Sequence, residues 1–105
     1  MAFDAQLEII DGVAKISLSG ELDAATAPLL KEKIETAAQQ NVSRLVLLAK
    51  DLKYMASAGL RVLIFSKQKM GTEVDIYVVG AQKFILETLD KTGFAKSVII
   101  VDQYP

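Results

Sequence analysis

Hydrophobic residues change their spacing several times along this chain, and each change marks an element. Leu7 to Ile10 is a short apolar run closed by Asp11-Gly12, a strong hairpin-turn dipeptide. Val13, Ile16 and Leu18 then lie in a β-rich stretch that ends at Gly20, with Val13 out of step with strict alternation. These two segments read as an antiparallel pair. Next the spacing becomes helical: Ala27, Leu30, Ile34, Ala37 and Ala38 share one face. Thr26 is a candidate N-cap, Pro28 sits in the first turn where its missing N–H does no harm, and Asn41 is a candidate stop.

Leu45 to Leu48 is apolar on both faces, as a strand buried in a parallel sheet would be. The polar stretch from Lys50 to Ala56 reads as a loop. Ser57 can cap a second helix with Leu60, Leu63, Ile64 and Lys67 along one side, closed by Gly71. Four consecutive apolar residues, Val62 to Phe65, cannot all face inward, so at least one should reach the surface. Arg61 and Lys67 read as solvated helix positions. Val74, Ile76, Val78 and Val79 form a strand ended by Gly80. Phe84, Ile85, Leu86 and Leu89 belong to a third helix, with Lys91 in its last turn and Gly93 as a left-handed cap. Val98 to Val101 is a final strand.

The order is therefore β-β-α-β-α-β-α-β, an α/β class with a central, mixed but mostly parallel sheet. Residues 1–105 suit one domain, with the hairpin at one edge. Helices starting near Thr26 and Ser57 should pack on one side. Ile16, Leu18, Leu30, Ile34, Val46, Leu48, Leu63, Ile76, Val78 and Leu86 are the expected sheet-facing core.

Composition narrows the chemistry. The chain has 105 residues, about half of them apolar (51%), and a formal net charge of −1 with both signs interspersed. No basic stripe is present, so nucleic-acid binding lacks its electrostatic footprint. There is no cysteine, which removes disulfides, thiolate metal sites and a cysteine nucleophile, and fits a cytosolic protein. There is no histidine, which removes a Ser-His-Asp triad and a histidine general base. A serine nucleophile would still need a base, and Lys67 is ten residues from Ser57, not at Ser-x-x-Lys spacing. Neither a P-loop nor a GxGxxG motif occurs, so no nucleotide or other cofactor is expected. Runs such as Leu45 to Ala49 are too short to span a bilayer, and the start Met1-Ala2-Phe3-Asp4 lacks the form of a signal peptide. A cytoplasmic protein that is not an enzyme is the expectation.

Two segments resemble a known family. Leu18-Ser19-Gly20-Glu21-Leu22-Asp23-Ala24-Ala25-Thr26-Ala27-Pro28 is similar to the first signature of STAS domains, in which Gly-Glu-Leu-Asp ends a strand and turns the chain into a helix. Leu52-Lys53-Tyr54-Met55-Ala56-Ser57-Ala58-Gly59-Leu60-Arg61-Val62-Leu63 resembles the loop-to-helix signature, usually Asp-Ser-Ser/Ala-Gly-Leu. The resemblance extends to the Gly80 strand end and the Lys91-Thr92-Gly93-Phe94 corner, and is greatest to bacterial anti-sigma factor antagonists. It implies that Ser57 is phosphorylated by an anti-sigma factor that is a serine kinase, that a PP2C-type phosphatase reverses this, and that the unphosphorylated form binds the anti-sigma factor and frees a sigma factor. Asp23 would lie near the acceptor, and Tyr54, Met55, Ala56, Ser57, Ala58, Gly59, Leu60 and Arg61 would form the partner surface with it. Two positions depart from the family pattern: Ala56 replaces the usual Asp before the acceptor, and Ala49 stands where an acidic residue is common.

Each of these residues also has a plainer role. Ser57 is a good helix cap, compatible with phosphorylation because a helix N-terminus also suits a phosphate. Asp23 suits an Asx turn. Gly59 is either tolerated near a cap or needed for close approach of a partner or phosphate. Tyr54 and Met55 either pack on the core or anchor an interface. The alternative function is a constitutive STAS adaptor in a signalling complex that never uses Ser57.

Overall fold

In the computed structural model, which describes residues 2–104, the chain forms one five-stranded sheet with strands in sequence order. The elements are β1 (Asp4–Ile10), β2 (Val13–Leu22), α1 (Ala27–Ala38), β3 (Arg44–Met55), α2 (Ser57–Met70), β4 (Asp75–Val79), α3 (Lys83–Lys91) and β5 (Ile99–Val101), with a 3-10 turn at Phe94–Ser97. β1 and β2 pair antiparallel around Asp11 and Gly12, whose φ values of 52° and 76° are those of a tight hairpin turn. The other three pairs are parallel, so the hairpin does lie at one edge.

All three helices contribute to a single apolar core on one face of the sheet. Ile16, Leu18 and Leu22 of β2 meet Leu45 and Leu47 of β3, Ile76 and Val78 of β4, and Leu30, Ile34, Leu63, Ile85 and Leu89 of the helices. The opposite face carries no helix. Val46, between Leu45 and Leu47, points to that side and is nonetheless fully buried. Its cross-strand neighbours are Lys15 and Tyr77. Beyond β5 the chain turns back so that Tyr104 packs edge-on against Tyr77 (5.2 Å between centroids) and under the Lys15 ammonium (5.2 Å). Tyr104 thus packs on both cross-strand neighbours of Val46. Its hydroxyl accepts a hydrogen bond from Arg44 (3.0 Å), which holds the guanidinium above its ordinary pKa.

Several expectations shift. Leu48 and Leu86 are half-buried rather than core. Ile64 is the member of the Val62–Phe65 run that reaches solvent, and Val62 takes its place inside. Lys67 is half-buried, its ammonium donating to the Val74 carbonyl (3.4 Å). Asn41 is not a left-handed stop: α1 ends at Ala38, with the Gln39 N–H bonded back to the Glu35 and Thr36 carbonyls. Gly71 and Gly93 do adopt positive φ at the ends of α2 and α3.

The largest difference lies in the segment expected as a loop. β3 does not stop at Leu48 but continues to Met55. It pairs with β2 at Ser19↔Asp51, Gly20↔Leu52, Glu21↔Tyr54 and Leu22↔Met55, with two register shifts. Those bulges disguise the strand in the sequence, since Leu52 and Met55 are buried three apart instead of two. β4 pairs with β3 only as far as Leu48↔Val79, so β2 and β3 run on together as a two-stranded ribbon.

Candidate functional site

The ribbon brings the two signature segments side by side. The Leu22 carbonyl accepts the Ala56 N–H at 2.8 Å, so Asp23 and Ser57 each follow one member of a bonded pair. From that point one chain turns into α1 and the other enters α2.

The Asp23 side builds a closed turn. Asp23 Oδ1 accepts the N–H groups of Ala25 (3.0 Å) and Thr26 (3.1 Å), the Asx geometry that aspartate favours. Thr26 stands at the N-cap position but does not cap α1 with its side chain. Its hydroxyl instead accepts the Asp23 N–H (2.9 Å) and donates to the Glu21 carbonyl (2.9 Å). The Asp23 carbonyl takes the first helical N–H, from Ala27, at 2.8 Å. Gly20, two residues before Leu22, has φ 84° and lies under the chain at Ala2, where a Cβ would strike the Ala2 carbonyl.

The Ser57 side is open. Ala56, not Ser57, is the N-cap of α2, and Ser57 is the first helical residue. The Ala56 carbonyl accepts the Gly59 (2.9 Å) and Leu60 (3.2 Å) N–H groups. Among the described residues the Ser57 and Ala58 N–H groups have no backbone partner and the Ser57 hydroxyl makes no hydrogen bond. Ser57 is exposed, Ala56 and Ala58 are half-buried, and Arg61 is exposed one turn further along the helix. No acidic residue lies in the first turn of α2, and among the described residues no group of three carboxylates could hold a metal ion.

Met55, Gly59 and Leu60, expected on the partner surface, are turned inward. Gly59 answers a close approach, but from within the chain: a Cβ there would lie 2.7 Å from Leu22 Cγ and 3.0 Å from Met55 Cγ. α2 needs a glycine because its first turn rests directly on the ends of β2 and β3. Tyr54 and Met55 divide between their two readings: Met55 joins the core and Tyr54 is exposed. The accessible site is therefore exposed Tyr54, Ser57 and Arg61 with half-buried Asp23, Ala56 and Ala58, held up from beneath by Leu22, Met55, Gly59 and Leu60. Sequence reading missed Phe84, which stacks on Tyr54 with centroids 6.0 Å apart and planes at 12°. Nothing in the apolar pattern of α3 separates it from the neighbouring core residues.

The STAS domain family model matches residues 4–104. This chain belongs to the STAS domain family. In this chain the Gly-Glu-Leu-Asp turn and the serine-bearing helix start lie at the same end of the sheet. Among relatives, the anti-sigma-F factor antagonist RsfB of Mycobacterium tuberculosis is 35% identical over 87 residues, 83% of this chain and 71% of its own length. The anti-sigma-B factor antagonist of Bacillus subtilis is 38% identical over 50 residues, 48% of this chain and 45% of that protein. Among solved structures, an anti-sigma factor antagonist from Mycobacterium paratuberculosis superposes with a TM-score of 0.88 at 27% identity, over 97% of this chain and 87% of that one. The unphosphorylated form of the anti-sigma factor antagonist SpoIIAA shares the fold at 20% identity, with a TM-score of 0.80 over 92% and 87% of the two chains. No helix among the described residues of this STAS domain is long and apolar enough to cross a membrane.

Proposed function

We propose that this STAS domain is an anti-sigma factor antagonist gated by phosphorylation of Ser57. In this reading it is a binding module, not an enzyme. It binds an anti-sigma factor, itself a serine kinase, while the Ser57 hydroxyl is free, and so releases a sigma factor in the cytoplasm. Phosphorylation by that partner ends the complex, and a PP2C-type phosphatase restores it. The observation that carries the proposal is the setting of Ser57: exposed, without a hydrogen-bond partner among the described residues, at the first position of a helix whose leading N–H groups are unused. The similarity to RsfB, named for antagonising an anti-sigma factor, supports the choice of partner.

The same geometry says how the switch would work. A phosphate on Ser57 would accept hydrogen bonds from the free N–H groups of the first turn and lie at the positive end of the helix dipole. The domain therefore stays folded, and the effect falls on the partner. Phosphorylation adds about −1.5 to −2 charges and three acceptor oxygens to a surface that a partner would have to dehydrate. Burying a charge without a counter-ion costs several kcal/mol, and about 1.4 kcal/mol is tenfold in affinity, so a loss of roughly a hundredfold is expected.

Calorimetric titration of wild type, Ser57→Ala and Ser57→Asp against the anti-sigma factor tests this. Ser57→Ala should bind whether or not ATP is present, and Ser57→Asp should bind roughly a hundredfold more weakly, with unchanged circular dichroism. Equal affinity for wild type and Ser57→Asp defeats the switch. A second reading, the constitutive adaptor, is favoured by Ala56, which leaves the acceptor without its adjoining carboxylate. Intact-mass measurement after incubation with kinase and ATP separates the two. An adaptor stays unmodified as wild type and gains a phosphate only as Ala56→Asp.

A further inference from the structure

We infer that Arg61 is the internal counter-ion of phosphorylated Ser57: once the serine carries a phosphate, the guanidinium folds back along α2 and closes an ion pair with it. The inference rests on the reading of Ser57 as the phosphoacceptor and adds the residue that holds the modified state.

The placement comes from helix geometry. Ser57 is the first residue of α2 and Arg61 stands four positions on, both exposed. Residues at this spacing share one face of a helix, with Cβ atoms about 5–6 Å apart. Long side chains on a helix lean toward its N-terminus, so Arg61 is disposed toward the turn that begins at Ser57. An anion followed four residues later by a cation is also the order that helices favour.

Arg61 is unengaged in the unmodified protein. It makes no hydrogen bond or ion pair among the described residues. α2 carries Arg61, Lys67 and Lys69 but no carboxylate, and its N-cap is Ala56. A cleft of about 220 Å³ beside Arg61 is lined by Lys31, Arg61, Val62 and Phe65, so both charged groups in it are positive. Lys31, from α1, holds its ammonium over the Phe65 ring (4.9 Å), which leaves Arg61 as the open donor. Carboxylates reach this end of the domain from the β2 side. Asp23 has Oδ1 taken by the Ala25 and Thr26 N–H groups. Glu21 precedes Leu22, which is buried under Gly59, so Glu21 projects to the opposite face of the ribbon from α2.

A phosphate monoester suits this donor. The guanidinium presents parallel N–H groups that match two phosphate oxygens, and the contact is charge-assisted on both sides. The free Ser57 and Ala58 N–H groups would meet the phosphate from one side and Arg61 from the other. Pairing favours the dianion, so Arg61 lowers the second pKa of the phosphate from its ordinary value of about 6, while the Asp23 charge acts in the opposite sense. Modification then changes the surface of α2 twice, by adding a dianion and by occupying a guanidinium that a partner could otherwise use.

The test uses the full chain with phosphoserine installed at position 57 during translation, which makes it independent of a kinase. Phosphorus NMR reads the second pKa of the phosphate. Arg61→Gln, which keeps helix propensity, should raise that pKa by about 0.3–0.7 pH units. Arg61→Lys keeps the charge without the fork and should raise it by less than half as much. Circular dichroism confirms that each variant is folded. A pKa in Arg61→Gln within about 0.1 pH unit of wild type overturns the inference. So does an equal rise in Lys53→Gln, an exposed cation on β3, because the effect would then be the diffuse field of the surface and not a pair. Either result leaves the antagonist reading standing if the purified anti-sigma factor encoded nearest the gene transfers phosphate to wild type. Wild type that gains no phosphate from that kinase and ATP overturns both.

Discussion

Gly59 shows how much one absent side chain can matter where α2 meets the sheet. Replacing it with alanine should gain about 1 kcal/mol of helix propensity. The new Cβ, however, would lie 2.7 Å from Leu22 Cγ, and Leu22 is fully buried. Overpacking of this kind costs about 1–3 kcal/mol, more than propensity returns. Gly59→Ala is expected to lower the midpoint of thermal unfolding by several degrees, read by circular dichroism, and no drop would show that α2 can slide. The sequence left two readings of this glycine open and neither named Leu22, because the collision is with a residue far away in the chain. Ser57 was more legible. Its place at a helix start follows from the local pattern, although Ala56 occupies the cap and Ser57 the first turn.

At the level of elements, the β2–α1 connection is held by the side chains of Asp23 and Thr26 together. Asp23→Ala removes the acceptor of the Ala25 and Thr26 N–H groups and should cost about 0.5–2 kcal/mol, measured by urea denaturation. Asp23→Asn keeps an oxygen for the same bonds and should cost much less. The pair of variants also separates the two roles of the residue. If the Asp23 charge sharpens the switch, Asp23→Asn narrows the difference in partner affinity between phosphorylated and unphosphorylated Ser57 while stability is nearly kept. The helices were readable because each follows an apolar face at helical spacing, although the stop of α1 and the cap of α2 fall on other residues than Asn41 and Ser57. The extension of β3 was not, because Lys50, Asp51 and Lys53 are exposed and two bulges break the period of two. Pairing with β2 holds that segment extended.

For the whole molecule, the sheet has one face under three helices and one on which Tyr104 packs against Tyr77 and Lys15. Tyr104→Ala should expose Val46 and remove the Arg44 hydrogen bond, at a cost of about 1–2 kcal/mol in chemical unfolding. Hydrogen exchange should quicken in β4 beside it, and an unchanged midpoint would mean that Lys15 and Tyr77 shield Val46 unaided. This contact has no local signal, since a lone tyrosine near Pro105 has no periodicity to belong to. The chain by itself determined the element order, the hairpin at Asp11-Gly12, the helix-facing core and the two signature segments, because these rest on spacing and backbone preference among near neighbours. Only the tertiary structure decided that those segments lie side by side, that Met55, Gly59 and Leu60 support the site from within, and that Phe84 joins Tyr54 on its surface. Those facts depend on which residues from distant parts of the chain compete for the same space, and side-chain volume in the packed core settles that competition.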